Sequence, residues 1–370
     1  MSVTTLSVDI GTTALKAAVI SEDQKELAFA SESFENPDDR YISLKWLPAL
    51  EACLKKMGSA ADSIKAVSIS GNGPTVVTED GTTVLWNAPQ DSRFPIQNTT
   101  NSLFLPKLIL LRGLYPEEFE KSTSVFSGPE FLIWKLTGER ITILPEKRYE
   151  AAYWNRDLLE LNGISPEKLP PFRKIGECYG TVKNVPELNA LPVYGAGPDF
   201  IAAMIGTGCT KPGAFCDCAG SSEGFNLCIP LPLKDPRIRI LPSVTPGLWN
   251  AAVMIPKSGR FLTDYKRKLE NDTGREWPYP ELIDHCFDRK DSEGHCILET
   301  LLENSRNALS ILKEIAEAAG IEFPDKMFVA GGQAKNRRWM DAKERELGIK
   351  LEVSGIPDAE LLGDWKAVNR

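Results

Sequence analysis

The first regular pattern along the chain lies between Thr4 and Ile20. Leu6-Ser7-Val8-Asp9-Ile10 is apolar and β-prone, Gly11-Thr12-Thr13 has turn chemistry, and Leu15 to Ile20 resumes as a strand. Glu26 to Ser33 alternates as a third strand, and Leu44 to Met57 carries apolar residues at helical spacing. Ala66 to Ser70 reads as a buried strand ending at Gly71-Asn72-Gly73-Pro74. Thr75 to Thr78 and Val84 to Trp86 then read as a hairpin around Glu79-Asp80-Gly81. Leu105 to Leu111 and Pro129 to Lys135 are helical, the latter stopped by Gly138. A short strand at Leu191 to Tyr194 runs into the bend Gly195-Ala196-Gly197-Pro198-Asp199. A helix of small residues follows, Phe200 to Ile205, ending at Gly206-Thr207-Gly208. The second half has a β-rich stretch from Gly213, a long amphipathic helix from Cys296 to Ala319, and a strand Met327 to Ala330 closing on Gly331-Gly332. The glycines from 195 to 208 mark the expected hinge, with domains at 1–208 and 209–370.

Length and composition agree with two domains. A chain of 370 residues exceeds one comfortable core, and 42% hydrophobic with 25% charged residues is ordinary for a globular protein. A net charge of −8 argues against a nucleic-acid partner. It does not argue against an anionic nucleotide, because backbone N–H groups and a divalent cation handle phosphate locally. The N-terminus lacks the basic and apolar regions of a signal peptide, and no run of 18 apolar residues appears, so a cytoplasmic protein without a membrane partner is expected. Eight cysteines in so long a chain read as core or strand thiols. His285-Cys286 and His295-Cys296 lack the spacing of a zinc finger.

Two carboxylates stand out. Asp9 ends a buried strand ahead of Gly11, Thr12 and Thr13, where glycine admits phosphate to the backbone, threonines donate, and the carboxylate suits hydrated Mg²⁺. Lys16, seven residues on, could reach the same phosphates; an ordinary Asx-type turn is the bland alternative. Asp199 follows a glycine-rich bend at the start of a helix. It is either a helix cap or a general base for a hydroxyl attacking phosphorus. Ala219-Gly220-Ser221-Ser222 offers a second hydroxyl-rich turn, and Gly331-Gly332-Gln333-Ala334-Lys335-Asn336 a flat surface for adenine.

In order and spacing these segments resemble the FGGY carbohydrate kinases, within the actin, heat-shock ATPase and hexokinase superfamily. The first phosphate motif is similar to Asp9 to Thr13 with Lys16. The sugar-contacting turn is similar to Ile69 to Gly73, and the Trp-Asn-Asp-x-Arg segment to Leu85-Trp86-Asn87 through Asp91-Ser92-Arg93. The family helix ending in Leu-Thr-Gly resembles Phe131 to Glu139. The helix bearing the base falls on Gly195 to Gly208, the second phosphate motif on Ala219 to Ser222, and the adenosine segment on Val329 to Trp339 with Ile356 to Glu360. Departures include Asn72 for Gln, Ser221 for Thr, the interruption Ala88-Pro89-Gln90, Pro198 and Phe200 beside Asp199, and no Gly-Glu-Arg-x-Pro segment.

The resemblance implies an α/β fold of two ribonuclease H-like, actin-like ATPase domains facing a central cleft, the second shortened. It implies an ATP- and Mg²⁺-dependent kinase for a small sugar, with a ketopentose such as xylulose as first expectation and a homodimer allowed. Asp199 would be the base and Asp9 the metal residue. Gly11, Thr12, Thr13, Lys16, Ser221, Gly331, Gly332, Gln333 and Asn336 would hold nucleotide. Asn72, Asp91 and Arg93, with Asp199, would contact sugar. A weakly catalytic sugar- or nucleotide-binding regulator and an actin-like ATPase without a sugar are the alternatives.

Overall fold

The computed structural model describes residues 2–369 apart from 37–38, 98–100, 220–222, 256–257 and 354. The chain divides into two compact units, one of residues 1–206 with 360–370 and one of residues 207–359.

The first unit is built on a five-stranded sheet ordered Val193–Pro198, Ala66–Gly71, Thr5–Ile10, Ala14–Ile20, Glu26–Ser33. The first three strands of the chain form an antiparallel meander, and Ala66–Gly71 and Val193–Pro198 add in parallel on the other side of Thr5–Ile10. Thr5–Ile10 and Ala66–Gly71 are buried at every position, which is why they read as continuous runs and not as alternations. Glu26–Ser33 at the sheet edge keeps Leu27 and Phe29 partly exposed. Helix Gly128–Thr137 packs on the two parallel strands, and helix Trp46–Met57 on the meander. Gly138, with φ near 80°, ends the former in the left-handed region that glycine allows.

Two expectations need correction here. The run from Gly195 to Pro198 is a strand with a bulge between Gly195 and Gly197, paired to Ala66–Gly71, and not a bend. Its first glycine serves close packing: a Cβ on Gly195 would lie 2.7 Å from the Ile69 carbonyl oxygen and from Ile143 Cδ1. Residues 360–370, placed by sequence in the second domain, pack with the first unit. Helix Ala359–Val368 carries them, and its Gly363 lies so close to Ala202 of helix Asp199–Thr207 that a Cβ would meet that carbonyl oxygen at 1.9 Å.

The second unit repeats the same order. Phe215–Ala219 pairs antiparallel with Glu223–Ile229, which pairs antiparallel with Trp249–Ile255, while Lys326–Gly331 and Lys350–Val353 add in parallel on the other side. Arg239–Pro242 is an extra edge strand. Helix Glu293–Ala318 covers this sheet, burying Leu309, Leu312 and Ile315 against Phe225, Leu227 and Val253. Helices Ser258–Thr273 and Tyr279–Asp288 enclose a smaller core around Leu282 and Trp339. His285 packs edge-on to Trp277, and the His295 ring lies 3.2 Å from the Cys286 carbonyl oxygen.

Candidate active site

Asp9 reaches its position because the first strand is the centre of the sheet and ends there. Lys16 stands directly across the ladder from it, on the returning strand. Gly11 closes the turn by donating its N–H to the Ala14 carbonyl at 2.9 Å. A Cβ on Gly11 would sit 2.9 Å from the same oxygen, so the tight turn that brings Thr12 and Thr13 beside Asp9 needs glycine. Asp9 is buried, and its Oδ1 has no hydrogen-bond partner among the described residues. Burial first, then the Glu360 carboxylate, hold its carboxyl well above the ordinary range; Lys16 opposes this, and Asp199 and Asp364 add to it.

Asp199 opens helix Asp199–Thr207 one residue beyond the strand. The Phe200 N–H donates to its Oδ1 at 2.7 Å. An N-cap would accept from N–H groups two or three residues on. Burial, followed by Glu360, pushes Asp199 up to about 7, against the pull of the Phe200 N–H and of Lys16. A carboxyl poised there is matched to accepting a proton near neutral pH.

Glu360, which the resemblance set in the adenosine segment, and Asp364, which was not anticipated as part of a site, both come from the last helix. The close crossing at Gly363 sets that helix on helix Asp199–Thr207 and sets Glu360 near both Asp9 and Asp199. Asp364 is fully buried and accepts from Ser68 Oγ at 3.1 Å and Ser70 Oγ at 2.8 Å. Burial drives its carboxyl well up. Lys366 Nζ donates to the Gly206 carbonyl at 2.6 Å, at the C-terminal end of helix Asp199–Thr207, where a cation opposes the helix dipole. The sequence signal was present: a glycine inside an apolar helical pattern, Leu361-Leu362-Gly363-Asp364-Trp365, marks a close helix contact.

A second chain of contacts leaves the Gly11-Thr12-Thr13 turn. Trp86 Nε1 donates to Thr12 Oγ1 at 2.9 Å, the Trp86 N–H to Thr75 Oγ1 at 3.1 Å, and Thr75 Oγ1 to Asn72 Oδ1 at 2.7 Å. Asn72 is buried with its Nδ2 unpartnered among the described residues, so this amide has a donor to spare beside the turn. Asp91 and Arg93 instead form a bidentate pair with each other, closest at 2.6 Å, with the Arg93 side chain largely exposed.

In the second unit Ser221 lies outside the described residues. Gly331 has φ near 90°, and a Cβ on it would meet the Ala219 carbonyl oxygen at 2.1 Å, so the turn expected to face adenine begins where two strand ends touch. Gly332 faces open space. Gln333 is committed to protein: its Nε2 donates to Glu223 Oε2 at 3.1 Å and its Oε1 accepts from Trp339 Nε1 at 2.7 Å. Asn336 caps helix Arg337–Leu347, accepting the Trp339 N–H at 2.8 Å. Of the expected site residues, the first unit brings Asp9, Thr12, Lys16, Asn72 and Asp199 together with Glu360, while Asp91 and Arg93 are spent on each other.

Against solved structures, the fold is similar over 99% of the chain to a ligand-bound xylulose kinase from Lactobacillus acidophilus, covering 89% of that chain with a TM-score of 0.77 at 15% identity. Plasmodium falciparum glycerol kinase with ADP gives 0.74 at 16% identity, again over 99% of this chain and 89% of that one. The chain has the fold of the FGGY carbohydrate kinases, with two actin-like ATPase domains. Sequence relatives agree. An autoinducer-2 kinase from Yersinia enterocolitica is 23% identical over 314 residues, 70% of this chain and 59% of that protein. An autoinducer-2 kinase from Salmonella choleraesuis is 20% identical across 97% of this chain and 84% of that one. The chain thus spans about 59% of the length of the first of these relatives. No family model matches it. No helix among the described residues is long and apolar enough to cross a membrane.

Proposed function

We propose that the chain is an ATP-dependent carbohydrate kinase in which Asp199 takes the proton of the sugar hydroxyl. The observation that carries this is the pairing, within one unit, of two carboxyls lifted by burial and by Glu360 and each opposed by Lys16. Among the described residues no three His, Cys, Asp or Glu side chains converge to hold a metal directly. The bare Oδ1 of Asp9 fits a hydrated Mg²⁺, which keeps most of its waters. Bound Mg·ATP supplies the phosphoryl group and neutralises part of its charge.

The chain's own groups do the rest. The Gly11-Thr12-Thr13 turn and Lys16 orient phosphate, and Trp86 steadies Thr12 through its indole N–H. Asn72 offers its spare Nδ2 to a sugar hydroxyl. Asp199 accepts the hydroxyl proton as the oxygen attacks. Gly331 to Asn336 is the nucleotide-facing turn of the second unit, with Gly332 as its open face. Among sugars a ketopentose such as xylulose is the first candidate, supported by the likeness of fold to xylulose kinases.

ADP release should be measured with pentuloses, hexuloses, pentitols, gluconate and glycerol as acceptors. Release that depends on one of these sugars is expected. ATP hydrolysis indifferent to all of them would make the chain an ATPase. Binding of sugar or nucleotide with no turnover would make it a regulator.

A further inference from the structure

Beneath the nucleotide-facing turn lies a group of charges that the mechanism above does not use. Lys343, in helix Arg337–Leu347, is fully buried, and so are Asp217 and Glu223. Its ammonium donates to Asp217 Oδ2 and Glu223 Oε1, both at 2.5 Å, and stands 3.4 Å from Gln333 Oε1. All three of its N–H donors thus have an oxygen to meet. Glu223 also accepts from Ser258 Oγ at 2.6 Å and from Gln333 Nε2 at 3.1 Å, and Gln333 accepts from Trp339.

The positions of these residues matter as much as their pairing. Asp217 and Glu223 lie on the antiparallel strands Phe215–Ala219 and Glu223–Ile229, with Glu223 opposite Ala219 in the ladder. Ala219 in turn is opposite Gly331, which begins the nucleotide-facing turn. One ammonium therefore ties together both strands of one turn and, through Gln333, the first residues of the other. Burial first, then the Glu223 charge, push Asp217 well up. Burial also works to raise Glu223, but Lys343 outweighs it and holds that carboxyl below its ordinary range.

We infer that Lys343, Glu223, Asp217 and Gln333 are positioning residues for nucleotide, holding the Gly331–Asn336 turn and the mouth of the Ala219–Glu223 hairpin in one fixed relation before ATP binds. This rests on the kinase reading above, and it changes the part of Gln333 from ligand contact to strut. A turn of glycines has little stiffness of its own, and preorganisation by a buried network spares the ordering cost that binding would otherwise carry.

The test is calorimetric titration of the full-length chain with Mg·ADP, beside its thermal melting temperature. Gln333→Met removes the tie between turn and ammonium without exposing a bare buried charge. It should weaken ADP binding at least ten-fold while the melting temperature stays within about 3 °C of the parent. Lys343→Met should weaken ADP binding further in whatever fraction folds. An ADP affinity within two-fold of the parent for folded Gln333→Met would overturn the inference and leave the kinase reading intact. A parent chain that binds no ADP would overturn both.

Discussion

The two units share one strand order and treat buried charge in opposite ways. In the first, Glu360, Asp199 and Asp364 bear on Asp9, Glu360 bears on Asp199, and Lys16 is the cation set against Asp9 and Asp199. Both Asp9 and Asp199 are lifted out of the ordinary carboxyl range, and one Asp9 oxygen lacks a partner. In the second, a fully buried lysine meets a fully buried aspartate and glutamate at 2.5 Å each, and a hydroxyl and an amide donor fill in around the glutamate. Like charges left crowded in a polar pocket cost stability and are retained where chemistry uses them. Lys343 and both oxygens of Glu223 are matched donor for acceptor and hold backbone in place, while Asp217 Oδ1, like Asp9 Oδ1, has no partner among the described residues.

That contrast is open to direct attack. The largest effect should come from Lys343→Met, which strands two carboxyls in the core of the second unit; a loss of about 3–5 kcal/mol is expected in urea unfolding. Next is Gly363→Ala. Its Cβ would be driven to 1.9 Å from the Ala202 carbonyl oxygen, so helix Ala359–Val368 must shift, at about 2–4 kcal/mol, and Glu360 would move from the site. Unchanged stability in either variant would mean that the packing around it is far looser than described.

In the first unit, removing a charge should have the opposite sign. Asp199 in the folded chain titrates near 7, against 3.8 for an ordinary aspartate. The folded state therefore holds its proton more tightly than the unfolded chain. The stability linked to it is full below about 3.8 and is lost as pH rises through about 7. Asp199→Asn should accordingly stabilise the protein at pH 8, by about 1–3 kcal/mol, and by less at pH 5. Asp9→Asn should act in the same direction. A variant that destabilises equally at both pH values would show the carboxylate to be a structural anchor.

Much of the first unit was legible from local chemistry. The Leu6–Ile10 strand, the Gly11 turn and the Ala66–Ser70 strand are set by β-prone runs and glycines whose neighbours in sequence are also their neighbours in space. Asp9 and Asp199 could be picked out for the same reason. The bearing of Glu360 and Asp364 on those carboxyls could not, because it depends on a helix far along the chain returning to pack on Ala202. Gly195 looked like a flexible bend because sequence does not show Ile69 and Ile143 pressing on it. Gln333 looked available to adenine because nothing local reveals Glu223 and Trp339. The helices at Ser258–Thr273 and Tyr279–Asp288 were missed for another reason: their apolar stripe is thin and interrupted by charge, and it closes only a small side core.

The central claim is that Asp199 is the proton acceptor, and the most direct measurement is the pH dependence of sugar-dependent ADP release for the parent and for Asp199→Asn. The parent rate should fall about ten-fold per pH unit below about 7, as the carboxyl takes up its proton. Asp199→Asn should lose about 10²-fold or more in kcat and with it that acid limb, while still binding Mg·ADP. A variant that turns over like the parent, with the acid limb intact, would contradict the assignment and leave Asp199 as the opening residue of a helix.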